Sequence, residues 1–173
     1  ATGGTIEGAL TTIKTEDADI AITVTGTAGT VAQLATISGA TTGTVVFSCG
    51  LSDTAVAMAA TGGTIETNLT TIKTEDADIA ITVTGTAGTV AQLATIAGAT
   101  TGTVVFSCGL SDTAVAMAAT GGTIETNLTT IKTEDGDIAI TVTGTAGTVA
   151  QLATIAGATT GTVVFSCGLS DTA

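Results

Sequence analysis

The pattern of apolar and polar positions changes period in the middle of one stretch, DIAITVTGTAGTVAQLATIAG at residues 78–98. Ile79, Ile81 and Val83 alternate with Ala80, Thr82 and Thr84, the period-two pattern of a pleated strand. Gly85 stops the alternation. Val90, Leu93 and Ile96 then follow at the three-residue spacing of one helical face, and Gly98 stands where a helix closes on a C-terminal glycine. The stretch predicts strand, glycine turn and helix. It recurs at 19–39 with Ser38 in place of Ala97, and at 137–157 unchanged.

A second strand is predicted over 103–108, with Val104, Phe106 and Cys108 on one side and Val105 and Ser107 on the other. Both sides are fairly apolar, as expected of a parallel strand covered on at least one face. Ser111-Asp112-Thr113 supplies N-cap chemistry for the helix that follows, with Asp112 read as the cap. Ile65, Leu69 and Ile72 lie on one helical row that Met58 and Gly62 extend backwards. One helix over about 54–73 fits this row. So do two short helices broken at Gly62-Gly63, because each interior glycine costs about 1 kcal/mol.

These elements repeat. Ala1-Thr2-Gly3-Gly4 returns at Ala60 and again at Ala119, a period of 59 residues, and a fixed period of this kind is the signature of a solenoid or tandem array. The periods are 1–59, 60–118 and an incomplete 119–173. The first two differ only at Gly8/Thr67, Ala9/Asn68 and Ser38/Ala97, the second and third only at Ala77/Gly136. The chain starts and stops in mid-pattern and reads as a window on a longer array, since solenoid ends normally carry a polar cap. Inside the period, aligning 80–98 with 104–122 superimposes Gly85 on Gly109, Thr89 on Thr113, Leu93 on Met117 and Gly98 on Gly122. Each half is strand, glycine turn, Thr-led helix and glycine, a βα unit of roughly 30 residues.

The fold class expected is therefore α/β: a repeat solenoid of stacked parallel strands and short helices, right-handed because βαβ crossovers are. Strands stack about 4.8 Å apart while helices want about 10 Å, so the helix layer must curve, splay or shorten. An all-β solenoid is the alternative. Each period should contribute two strands and two helical segments, six strands or so in all. A lone period leaves both stacking faces bare.

Composition narrows the partners. The chain of 173 residues has a net charge of −12, one Lys per period, and no Arg, His, Pro, Trp or Tyr. Nucleic acid is excluded for want of a basic patch, and an anionic membrane surface is disfavoured on the same ground. Absence of Pro fits strands paired on both edges. The uncharged run over 79–111 is broken by five glycines and dotted with Thr, so it does not read as a membrane span of about 20 apolar residues.

Acidic residues cluster before each first strand: Glu16, Asp17 and Asp19; Glu75, Asp76 and Asp78; Glu134, Asp135 and Asp137. One reading is a solvated turn that keeps neighbouring fibres apart. The sharper one is calcium, for which closely spaced carboxylates offer hard oxygen ligands; no other cofactor is expected. Neither the calcium nonapeptide nor an EF-hand loop is present. Cys49, Cys108 and Cys167 occur once per period without a C-x-x-C or a His, which argues against zinc and for small buried hydrophobes, with stacking or pairing to a second chain as the alternative. Asn68-Leu69-Thr70 and Asn127-Leu128-Thr129 match the glycosylation acceptor pattern, but lie on a helical row and are missing from the first period at Ala9; they read as coincidental.

The combination of VVFSCGLSDTAVAMAA at 104–119 with a D-I-x-I-T-V-T-G-T-A strand resembles the repeats of giant surface proteins of cyanobacteria and marine bacteria, of the haemolysin-like and RTX-related adhesin kind. The resemblance covers the whole chain and implies an extracellular or cell-surface scaffold, adhesin or filament. Three function classes follow. The first is a structural filament or adhesin stalk that self-associates end to end or laterally, without a membrane span. The second is a ligand- or ice-binding surface, if Thr82-Val83-Thr84 repeats as a flat exposed Thr ladder. The third, an enzyme, is disfavoured, because near-identical repeats lacking His and Arg offer no unique catalytic constellation.

Overall fold

The computed structural model describes residues 7–171. The Ala1–Gly4 marker of the first period lies outside them. The first elements are α1 (Gly8–Glu16), β1 (Ile22–Val24), α2 (Val31–Ser38), β2 (Val45–Phe47), β3 (Leu51–Thr54) and α3 (Ala55–Met58). Next come α4 (Thr67–Glu75), β4 (Ile81–Thr84), α5 (Val90–Ala97), β5 (Val104–Phe106), β6 (Leu110–Thr113) and α6 (Ala114–Met117). The last are α7 (Thr126–Glu134), β7 (Ile140–Thr143), α8 (Val149–Ala156) and β8 (Val163–Phe165). The chain is mixed α/β. A full period thus holds three strands and three helices, one of each more than its hydrophobic pattern suggests.

The extra helix comes from the break at Gly62-Gly63. α3 is a single turn that ends at Met58, and Gly63 takes φ +83° in a turn closed by its N–H on the Ala60 carbonyl at 2.8 Å. A Cβ there would also lie 3.0 Å from the Ala91 carbonyl oxygen, so both backbone conformation and space call for glycine. The extra strand is the Leu-Ser-Asp-Thr segment. Gly109, at φ +72°, turns the chain after β5, and the next four residues pair with β7 in the register Leu110↔Ile140 to Thr113↔Thr143.

All strand pairs are parallel. β1 pairs β2, with Ile22 opposite Val45. β4 lies between β3 and β5, with Leu51, Ile81 and Val104 in line, and β7 lies likewise between β6 and β8. The 104–113 segment therefore pairs backwards with β4 through its first half and forwards with β7 through its second. Its second half also touches the segment that follows β4, through the Gly88 N–H on the Gly109 carbonyl at 3.1 Å and the Ser111 N–H on the Gly88 carbonyl at 2.9 Å.

Alternation decides what is buried. Ile79, Ile81 and Val83, then Val104 and Phe106, are buried together with Leu93 and Ile96 of α5 and Leu69 and Ile72 of α4. Val105, between the two buried residues of β5, is 49% exposed. The helices that cover this core are short, eight or nine residues apart from the one-turn α3 and α6, which eases the mismatch between strand and helix spacing. α4 packs on α2, and α7 on α5. Among the described residues no helix is long and apolar enough to cross a membrane.

Candidate functional site

Side chains reach the backbone of a neighbouring strand or loop both within each period and across the junction between periods. Asp76 follows α4 as its C-cap residue, and its carboxylate Oδ2 accepts the Phe47 N–H at 2.7 Å. β2 pairs with β1 along its opposite edge, where Phe47 lies beside Val24. The carboxylate therefore takes the place of a ladder acceptor on the side where β2 has none. Asp135 does the same for the Phe106 N–H, at 2.8 Å. Asp76 is buried, Asp135 half-buried and Asp17 exposed. The Asp17 carboxyl lies above the usual carboxylate range because it shares a hydrogen bond with the Asp19 side chain, with desolvation and the Asp19 charge adding to the effect.

The other acidic residues do different work. Glu16, Glu75 and Glu134 end their helices exposed, and Asp19, Asp78 and Asp137 are exposed too. The Asp78 backbone is held by the following turn: the Thr101 N–H bonds the Ala77 carbonyl at 2.8 Å and the Thr100 hydroxyl the Ile79 carbonyl at 2.7 Å. Gly102 packs so closely on the Asp78 carbonyl that a Cβ would collide with it. Calcium takes six to eight oxygens. With Asp76 and Asp135 engaged on backbone N–H groups, two exposed carboxylates remain at each of those turns, and among the described residues no group of three or more His, Cys, Asp or Glu gathers to hold a metal ion.

Asp112 caps a helix, but not the one that follows it. Its Oδ2 accepts the N–H of Val90, the first residue of α5, at 3.1 Å, and its Oδ1 accepts the Thr113 N–H at 2.8 Å. The cap of α6 is Thr113, whose hydroxyl oxygen accepts from Ala116. Asp53 and Asp171 treat Val31 and Val149 in the same way. The target lies 22 residues earlier in the chain, so local spacing cannot find it.

Gln92 was not singled out by the hydrophobic pattern, yet it joins two repeat halves. Thr89 and Gln92 form a capping box at the start of α5, and the buried Gln92 amide donates to the Ala59 carbonyl at 2.9 Å. Thr89 and Thr95 add hydroxyl bonds to the carbonyls of Thr61 and Gly63. Gln151 repeats the bridge to Ala118 at 2.8 Å. The T-x-x-Q spacing was the available signal. Gly98 ends α5 with φ −78°, right-handed rather than the left-handed glycine cap, while Gly85 and Gly109 both take positive φ.

Cys49, Cys108 and Cys167 are free thiols and half-buried. Cys108 lies in the turn after β5 with its thiol on the Gly109 carbonyl, and burial pushes that thiol above its ordinary range. The Thr row lies on the sheet face opposite the core, half-exposed. Thr82 has Ser52 and Val105 as cross-strand neighbours, whereas Thr84 faces Thr54, as Thr143 faces Thr113. Comparison with family models, with curated proteins and with solved structures returned no match.

Proposed function

We propose that this chain is a structural segment: a right-handed α/β solenoid whose repeats extend into a long extracellular filament or adhesin stalk at the cell surface, without catalysis. The observation that carries the reading is the junction. The Asp76–Phe47 bond returns as Asp135–Phe106, and the Gln92–Ala59 bridge as Gln151–Ala118, both 59 residues on. Each repeat thus offers its successor the same backbone groups and the same apolar face, and such head-to-tail contacts do not close on themselves. The resemblance to giant bacterial surface proteins agrees with this role. Self-association into filaments follows from the same complementarity, and the exposed Glu75 and Asp78 keep parallel fibres apart until millimolar calcium screens or bridges them.

Stability then belongs to the number of repeats rather than to any one of them. A single 59-residue unit should be largely unfolded in circular dichroism, and three should melt in one cooperative step. A folded, monomeric single unit removes the proposal. The half-exposed Thr82–Val105 face is the observation that favours a second reading, an ice-binding surface. Its mixed Ser-Thr-Val row makes it the weaker one, and absence of thermal hysteresis would dismiss it.

A further inference from the structure

Asn68 and Asn127 are the two asparagines of the chain, and each heads an Asn-Leu-Thr tripeptide. On the helical row alone the tripeptides look coincidental, but the side of the helix they occupy decides otherwise. Both asparagines are exposed, at the second position of α4 and of α7, and neither side-chain amide bonds to another described residue. Leu69 and Leu128, the middle residues, are fully buried and anchor the turn. Thr70 and Thr129 stay exposed, with their hydroxyls on the Glu66 and Glu125 carbonyls of their own helices at 3.3 Å. The asparagine therefore has no task in the fold. The first period agrees: Gly8-Ala9 replaces the Thr-Asn pair, and α1 is a helix of the same nine residues. There is also room beside the amide. Asn68 lines an open groove of about 390 Å³ with Val56, Ala57, Glu66 and Thr67, and Val56 on its wall is 65% exposed. An apolar wall with a few polar groups suits a sugar, whose C–H face is apolar and whose rim is hydroxyl. Val115, one period on, is 64% exposed in the same way.

We propose that Asn68 and Asn127 are N-glycosylation sites, modified while the chain is exported. This rests on the extracellular placement proposed above and names a modification of that surface. The sugar comes activated on a nucleotide or lipid diphosphate. Its C1 forms a bond to the asparagine Nδ2, the C1–O bond breaks with its electron pair leaving on the diphosphate, and one amide proton passes to a base of the transferring enzyme. The helix of the finished fold does not oppose the transfer. α4 has nine residues and its N-cap, Glu66, makes no side-chain hydrogen bond, and a helix that short does not persist in water before its repeat packs around it. The enzyme therefore meets an open segment, and folding then leaves the modified amide on the outer side of the helix, beside a free groove.

The test is mass spectrometry, intact and on peptides, of the chain recovered from the surface of the cells that make it, beside a Thr70→Ala variant from the same cells. The expected result is sugar on Asn68 and Asn127, with Thr70→Ala losing it at Asn68 and keeping it at Asn127. Thr70 is exposed and bonds only its own helix, so the variant folds and the loss reports acceptor recognition. Bare asparagines in surface-recovered chain overturn the proposal, as do sugar carried on threonine instead and sugar that stays on Asn68 in Thr70→Ala. None of these results touches the structural reading, whose own failure is a single repeat that folds alone. Chain found only in the cytoplasm overturns the extracellular placement, and the glycosylation with it.

Discussion

Replacing Asp76 by Ala removes one carboxylate and opens no cavity in the apolar core, so its cost isolates the junction bond. The Phe47 N–H that the carboxylate accepts at 2.7 Å belongs to a residue only 3% exposed. Without its acceptor the buried donor stays unpaired, at about 1–3 kcal/mol. For a chain of this size each kcal/mol moves the midpoint by about 2–4 °C, giving a loss of about 2–12 °C. Asp135→Ala should cost a similar amount through Phe106. Asp17→Ala supplies the control inside the same molecule: identical chemistry, identical position in the period, no backbone partner of this kind, and a change within about 0.5 kcal/mol as at ordinary surface sites. Asp76→Asn keeps an acceptor oxygen and should fall between the two. Urea and thermal unfolding of the four variants read these differences. Equal costs at Asp17, Asp76 and Asp135, or no cost at any of them, would refute the reasoning.

Three further outcomes are expected. Gly102→Ala drives a Cβ into the Asp78 carbonyl and should destabilise by more than about 2 kcal/mol, whereas Gly62→Ala meets nothing within 4 Å and should cost little; thermal melts of the pair decide. Gln92→Ala removes the capping box and leaves the Ala59 carbonyl without its buried donor, so urea unfolding should show a loss of about 2 kcal/mol or more. The Asp17 carboxyl, whose ionised form is disfavoured beside Asp19, should keep its proton to higher pH than in the unfolded chain; carboxyl NMR should record that, and Asp19→Asn should return it toward the ordinary range.

What could be read in the sequence is what depends on near neighbours. The alternation at Ile79, Ile81 and Val83 and the spacing of Val90, Leu93 and Ile96 place the buried faces of β4 and α5 correctly, because both periodicities are local geometry. The half-repeat alignment likewise pairs the positive-φ turns Gly85 and Gly109 and the helix caps Thr89 and Thr113. β6 was hidden because Leu-Ser-Asp-Thr has one apolar residue; its strand character comes from β7, 30 residues later. The partners of Asp76, Asp112 and Gln92 lie 29, 22 and 33 residues away, beyond any local pattern. At the acidic turns, likewise, nothing local shows that Asp76 and Asp135 accept hydrogen bonds from the backbone of Phe47 and Phe106.

Two parallel-strand steps separate equivalent residues of successive periods, as from Leu51 through Ile81 to the Val104–Leu110 segment. In the proposed solenoid, at about 4.8 Å a step, stacking would lengthen the molecule by about 10 Å per period, whereas 59 residues folded as an independent globule would add roughly 25–30 Å. Small-angle scattering from chains of three, six and nine periods measures this increment directly. Rods that lengthen by about 10 Å per added period at constant cross-section are the predicted result; growth by the diameter of a bead, or a compact particle that widens instead of lengthening, would contradict the account.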